Sequence, residues 1–202
     1  YELYGSDNYG IKGNTSLNPE KSKTNEFTIN YDYSENILFK STAYKTKIFD
    51  RIESNAAYSK HENMKTDIKQ EGLENTVSFK NNNHAISLFS NFSKSRKDNG
   101  QAQNRRPDLS YGANYSAKIK NSPIGELMMN VNYKYTGNYT DWDGVKNSKQ
   151  KSVDIVNLTL NKKIFKNSIS FDIKNLFDKH YEKPATYGQD GRRMSINFRK
   201  TY

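Results

Sequence analysis

The chain has no cysteine, which excludes a disulfide framework and any thiolate metal site. It has no run of 18 apolar residues and therefore no transmembrane helix. Its opening, YELYGSDNYG, has neither the basic start nor the apolar run of a signal peptide. The first residue is not Met, and the expectation is a fragment or a processed piece. Hydrophobic residues are scarce, at 33%, and mean hydropathy is −1.03, which is poor material for a conventional core in 202 residues. No segment carries a helical stripe. The absence of cysteine is compatible with a bacterial cell envelope.

What is present is aromatic and basic. Fifteen Tyr and ten Phe are too many for a disordered chain. High polarity with many rings calls for ordered strands that expose much polar surface. The net charge of +10 reads first as a Lys-rich solvated surface, and second as affinity for an anionic partner such as lipid head groups or an acidic ligand. The cations are scattered singly along the chain with no concentrated block, which weighs against nucleic acid.

The dominant period is two. In GELMMNVNYKYTGNY, Leu127, Met129, Val131, Tyr133, Tyr135 and Tyr139 share one phase. Glu126, Asn130, Asn132, Lys134, Thr136 and Asn138 share the other. The segments around Leu109–Ile119, Phe27–Tyr33 and Met194–Phe198 alternate in the same way. About nine strands are expected, near 21–33, 36–50, 62–80, 84–96, 107–120, 125–139, 151–161, 168–180 and 191–202. The strand near 36–50 alternates poorly. A phase change between Ile155 and Val156 predicts a bulge, and opposite phases for Ile173 and Leu176 predict another.

Connections alternate in length. YSEN, KNNNH, KNSPI and NKKIFKN are short, whereas the segments 51–61, 97–106, 140–150 and 182–190 lie in long connections. Short turns on one side and long loops on the other predict an all-β, antiparallel up-and-down transmembrane β-barrel, with a Tyr-rich face toward lipid and a polar face toward the interior. Bacterial barrels usually have an even strand number, and an open sheet leaves unpaired edges in lipid. Nine strands therefore predict the C-terminal portion of a larger barrel, with residues 1–202 as one piece of its wall.

Three motifs carry a resemblance. GNTSLNPEKSKTNEF presents Gly13, Asn14, Leu17, Pro19, Glu20, Ser22 and Glu26, and resembles the GN-x-x-L-x-PE-x-S signature of TonB-dependent outer-membrane receptors. NLFDKHY presents Asn175, Leu176, Phe177, Asp178 and Tyr181, and is similar to that family's motif at the next-to-last strand. Gly191, Arg192 and the terminal Tyr202 resemble its last strand, with Lys200 a departure where an apolar residue is usual. The resemblance implies a plugged barrel of about 22 strands and active uptake of a scarce nutrient: ferric siderophore, haem or cobalamin. The sequence around DIKNLFDKHYE looks most like cobalamin receptors. Location in the outer membrane of a Gram-negative bacterium follows. So do outer-membrane lipid, small-molecule cargo and the barrel-assembly machinery as partners, and the TonB complex acting through a plug domain and TonB box that this chain lacks. A passive porin, or less readily an outer-membrane barrel enzyme, is the alternative.

No catalytic, cofactor or metal site is expected. His61, His84 and His180 form no ligand-spaced cluster with carboxylates, and nothing places a Ser beside a His and a carboxylate. Asp141 and Asp143 flank the single Trp142 in DWDG, either as a polar turn or as a ligand or calcium contact. Tyr139, Trp142 and Tyr187 lie on long loops, as rim anchors or as cargo contacts. Asn175 and Asp178 are expected to bind local backbone.

Overall fold

A computed structural model describes residues 3–5, 10, 12–55 and 57–200 of the chain. Among them there is no helix, and thirteen strands follow one another. The long strands are β1 (Lys21–Ser34), β2 (Ile37–Phe49), β5 (Ile68–Lys80), β6 (His84–Lys97), β7 (Leu109–Ile119), β8 (Leu127–Thr136), β11 (Val153–Ile164), β12 (Asn167–Lys174) and β13 (Arg193–Arg199). The short ones are β3 (Ile52–Ser54) with β4 (His61–Asn63), and β9 (Tyr139–Trp142) with β10 (Asn147–Gln150). The nine long strands form one sheet in the order β1-β2-β5-β6-β7-β8-β11-β12-β13. The sheet is antiparallel and does not close on itself: β1 and β13 are its two edges.

The chain groups into two compact units. The first comprises residues 1–27, 43–72 and 94–103. Its long connections are tied by side chains. Asn14 donates to the His61 carbonyl at 2.8 Å, and the Asn63 amide donates to the Asn18 and Asp50 carbonyls at 2.9 and 2.6 Å. The Glu20 carboxylate accepts the Ile52 N–H at 2.7 Å, so Pro19–Glu20 ends the incoming loop against β3. Ion pairs Lys47–Asp67 (2.6 Å) and Lys69–Asp98 (2.9 Å) tie β2 and β5 to loop residues at the ends of β5 and β6.

The second unit comprises residues 28–42, 73–93 and 104–202, and its ladder explains the period of two. Directly opposed residues run as continuous rows across six strands. One row is Ile86, Tyr115, Val131, Leu158, Ile173 and Met194. The next row on that face is His84, Ala117, Met129, Leu160, Phe171 and Ile196. This face is largely open rather than packed into a core: Leu88, on the same face, is 50% exposed in the interior strand β6, and within the rows only Ala117 and Ile173 are buried. Toward the end of the strands where β8 leads into β9, the face becomes aromatic, with Tyr111 and Tyr135 stacked at 4.6 Å. Amphipathic rings at that level suit a membrane–water interface.

The opposite face is a hydrogen-bonded polar ladder. Asn132 donates to Asn114 at 2.7 Å and accepts from Asn157 at 3.2 Å. Ser116 donates to Asn130 at 2.7 Å, Thr159 to Asp172 at 2.7 Å, and Asn197 to Asp172 at 2.8 Å. Buried polar groups are costly unless paired, and here each strand supplies the partner of the next. Stability therefore comes from the ladder and from cross-strand pairs rather than from a central core. Among the described residues the buried hydrophobic ones are Ile68, Ala117, Tyr139, Ile173 and Ala185.

One expectation is corrected and another holds. No bulge separates Ile155 from Val156: β11 pairs with β8 one-to-one from Val153 through Asn161. Val156, Leu158 and Leu160 hold the apolar face, and Ile155 simply occupies the polar face opposite Lys134. The expected bulge at Ile173–Leu176 is present at the end of β12: Leu158 opposes Ile173, yet the Leu176 N–H donates to the Val156 carbonyl at 2.8 Å, one residue beyond that register, so Asn175 (φ 50°) is the extra residue. Asp178 (φ 55°) adopts the same left-handed geometry in the turn that follows. Turn residues at such φ are commonly Asn and Asp.

Candidate functional site

The loops at one end of the second unit converge on a corner built from residues 104–107, 137–152 and 175–192. Asn175 organises its base. Its side chain is buried, accepts the Lys179 N–H at 2.9 Å, and donates to the Lys179 and Asp190 carbonyls at 2.9 and 3.3 Å. Its own N–H donates to Asn157 at 2.9 Å, which joins the corner to the polar ladder. Asp178 accepts the Arg192 N–H at 2.6 Å. A Cβ on Gly191 would lie 2.5 Å from that same carboxylate, so the approach needs glycine. The expected structural role of Asn175 and Asp178 in binding backbone is what the structure shows.

The rim is built on Asp141. The segment after β8 folds into the hairpin β9–β10, with Tyr139 opposite Gln150 and Trp142 opposite Asn147. Asp143 caps its turn by accepting the Val145 and Lys146 N–H groups at 3.0 and 2.9 Å. Those two bonds hold the Asp143 carboxyl below its ordinary 3.8. Asp141 is only 1% exposed. One oxygen accepts Arg105 Nε and the Trp142 N–H, both at 2.8 Å, and the other accepts the Ala185 N–H at 2.9 Å. Burial pushes this carboxyl up. The Ala185 N–H, the Arg105 guanidinium and the Trp142 N–H together push harder the other way, leaving it below 3.8. One carboxylate thus ties three loops together.

The structure brings together some of the sequence-predicted residues and not others. Tyr139, Asp141 and Trp142 share β9, and Asp143 sits in its turn. Asp141 spends both oxygens on N–H donors, and Asp143 receives the Val145 and Lys146 N–H groups on Oδ1. Trp142 and Tyr187 are well exposed, while Tyr139 is buried, with a hydroxyl that finds no hydrogen-bond partner. Burial and then the Asp141 charge push that phenol up, so it stays a neutral donor. Among the described residues no group of three metal-ligating side chains occurs. His84 lies at the other end of β6, beside the Tyr115 hydroxyl at 3.0 Å, and His180 lies in the corner. Tyr202 falls outside the described residues.

Sequence reasoning passed over Arg105 and Ala185, the partners of Asp141. It also passed over a cavity of about 460 Å³ beside Tyr139, whose wall carries Lys149, Lys151, Lys179 and Lys183. The Asp-Gly pair at 143–144 is a hairpin signal that would have placed β9 and β10.

A family model described as TonB dependent receptor-like, beta-barrel matches residues 1–176. The chain belongs to the TonB-dependent receptors. Members of this family are outer-membrane proteins of Gram-negative bacteria, and that is where this receptor chain resides. Its fold is shared with solved receptors of low identity. The FrpB iron transporter of Neisseria meningitidis (F3-3 variant) is 16% identical, with a TM-score of 0.71 over 93% of this chain and 32% of that one. The outer-membrane ferripyoverdine receptor of Pseudomonas aeruginosa is 18% identical, with a TM-score of 0.73 over 92% and 28%. The ferric yersiniabactin uptake receptor FyuA of Yersinia pestis is 18% identical, with a TM-score of 0.71 over 88% and 28%. The receptor chain spans about a third or less of the length of these relatives. No curated protein matches it significantly.

Proposed function

We propose that this chain is the C-terminal part of the barrel wall of a TonB-dependent importer, about the last third of such a receptor, and that the importer takes up a ferric chelate or cobalamin. The observation that carries the reading is the two-faced sheet. An outward apolar and aromatic face is backed by a polar hydrogen-bonded ladder, in a chain of this family. The apolar face meets outer-membrane lipid, and the ladder lines the lumen that a plug fills in the complete receptor. The iron and ferric-chelate transporters among the structural neighbours support the ferric alternative; the motif around DIKNLFDKHYE supports cobalamin. The wall acts as conduit and loop scaffold, with no chemistry of its own, and energy reaches it through the plug and the TonB complex.

Uptake by the full receptor carrying this chain tests the reading. Labelled ferric siderophore or cobalamin should accumulate only when the inner membrane is energised and TonB is present, and residues 1–202 alone should support none. Accumulation that persists after de-energisation would instead favour the porin alternative. Tyr202 belongs to the same reading as the terminal aromatic recognised by the barrel-assembly machinery. Its deletion should lower the heat-modifiable, folded fraction of the receptor on gels, and Tyr202→Phe should leave that fraction near wild type.

A further inference from the structure

We propose that the short-turn end of the apolar face, around Phe165, Phe198, Lys162, Lys166 and Lys200, is a docking surface for anionic phospholipid head groups of the inner leaflet of the outer membrane. The proposal rests on the receptor reading for the bilayer itself and for its orientation.

Depth is the first support. The stacked rings of Tyr111 and Tyr135 mark one interface, and Tyr135 stands opposite Asp154 of β11. Ten positions further along that strand lies its last residue, Ile164. At about 3.3 Å per residue and a tilt of about 40°, this length rises about 25 Å, the height of the apolar band of a transmembrane barrel. The second interface therefore falls at Ile164, and there the side chains change in kind. The row Lys162, Ile169 and Phe198 brings a cation onto the apolar face, and Lys200 follows Phe198 in the same phase. Lys162 reaches toward the strand end, where its Nζ donates to the Ile124 carbonyl in the neighbouring β7–β8 turn. A lysine that lays its stem over apolar surface and carries its ammonium outward marks a head-group boundary. Lys200, a departure from the apolar pattern of the last strand, fits the same boundary.

Phe165 is the second, independent support. Two residues, Phe165 and Lys166, join β11 to β12 between the paired Ile164 and Asn167. Phe165 has φ 53°, at a hairpin position that favours glycine and where a bulky side chain is rare. Its ring is 99% exposed, so no packing within the chain offsets that conformation. Strain held at an exposed aromatic points to a contact outside the chain. Ile124, on the adjacent turn, is exposed as well. Charge then selects the partner. Among the described residues neither Lys162 nor Lys166 pairs with a carboxylate, and the one carboxylate of these two turns, Glu126, is taken by Lys118 at 3.3 Å. Apolar tips set beside uncompensated cations, at bilayer depth, match a leaflet whose surface is anionic and whose interior is hydrocarbon.

The test uses the full receptor, purified in non-ionic detergent and freed of lipid. The variants are Lys162→Gln/Lys166→Gln/Lys200→Gln, Lys166→Gln alone, Phe165→Gly, Phe165→Trp, and a control, Lys146→Gln/Lys149→Gln/Lys151→Gln, drawn from the β9–β10 hairpin and its exit. Heat-modifiable migration establishes that each is folded, and the single Lys166→Gln carries the charge test if the triple variant is not. Native mass spectrometry measures binding of phosphatidylglycerol, of phosphatidylcholine with the same chains, and of lipid A. Wild type and the control should bind phosphatidylglycerol alike, and more tightly than either other lipid. Each lysine near an anionic surface contributes about fivefold, so Lys166→Gln should weaken that binding about fivefold and the triple variant at least about tenfold. Phe165→Gly relieves the turn; it should stay folded and bind several-fold more weakly. In vesicles of lipids brominated along their chains, the fluorescence that Phe165→Trp adds over wild type should be quenched. Wild type without preference for phosphatidylglycerol, tighter binding of lipid A, or equal losses in the lysine and control variants overturns the proposal. Full affinity of Phe165→Gly, or added fluorescence that stays unquenched, overturns the role given to the ring. These measurements need neither TonB nor energy, so their failure leaves the uptake result standing, and failure of energised uptake leaves them standing.

Discussion

Asp141 shows how one residue fixes a surface. Its two oxygens serve Arg105, Trp142 and Ala185, which are 36, 1 and 44 positions away in sequence. Asp141→Asn keeps the shape but replaces one acceptor oxygen by an NH2 facing donors. The expected cost is about 1–3 kcal/mol of local stability, read as faster hydrogen exchange at the Trp142 and Ala185 amides while the strands stay protected. The same bonds set a pH dependence. The folded carboxyl ionises below the 3.8 of the unfolded chain. Its contribution is therefore complete above the ordinary carboxylate range and is lost as pH falls through the lower folded value. Protection of Ala185 should vanish on acidification in wild type and be pH-insensitive there in Asp141→Asn. The sequence pointed to Asp141 because DWDG is a conspicuous cluster. It could not supply the partners, since contacts this distant depend on how the loops fold over the rim. Asn175 and Asp178 were legible as backbone binders because Asn and Asp suit left-handed turn positions, although only Lys179 among their partners is local and Asp190 and Arg192 lie 15 and 14 positions on.

At the scale of elements, alternation was a sufficient guide to the long strands, because each face meets a single kind of environment. The predicted bulge in β11 failed for an instructive reason. Ile155 was assigned by its apolarity, yet register is set by all nine paired positions, and one apolar residue on the polar face does not shift it. The small hairpins β3–β4 and β9–β10 were hidden inside segments read as loops, since strands of three or four residues carry almost no periodic signal. Gly112 in β7 tests how tightly neighbouring strands are fitted. A Cβ there would run into the Tyr133 carbonyl and the Phe89 ring, which lies across the glycine on the polar face. Because one obstacle is backbone of the adjacent strand, Gly112→Ala should destabilise the sheet by about 1–3 kcal/mol. A lower midpoint of urea unfolding in detergent micelles, with an unchanged slope, would report that loss.

The whole molecule poses questions of orientation and of closure. On the importer reading, the segments 51–61, 97–106, 140–150 and 182–190 face the cell exterior. Cysteines introduced at Asn99 and Lys146 of the full receptor should react with an impermeant maleimide on intact cells, and one at Asn82 should stay silent until the outer membrane is opened. Reversed labelling would invert the assignment. Closure follows from the sheet already described. Its nine strands alternate in direction, so the first and the last run the same way. Joined directly, they would meet as a parallel seam, and so would the facing edges of two identical copies. Only an odd number of intervening strands restores alternation all the way round. On the importer reading, a wall of about 22 strands leaves about thirteen beyond these nine, which meets this condition. Parity, a property of counting rather than of contact energy, therefore discourages this sheet from sealing on itself or on its twin, and reserves both edges for a partner segment of opposite arithmetic.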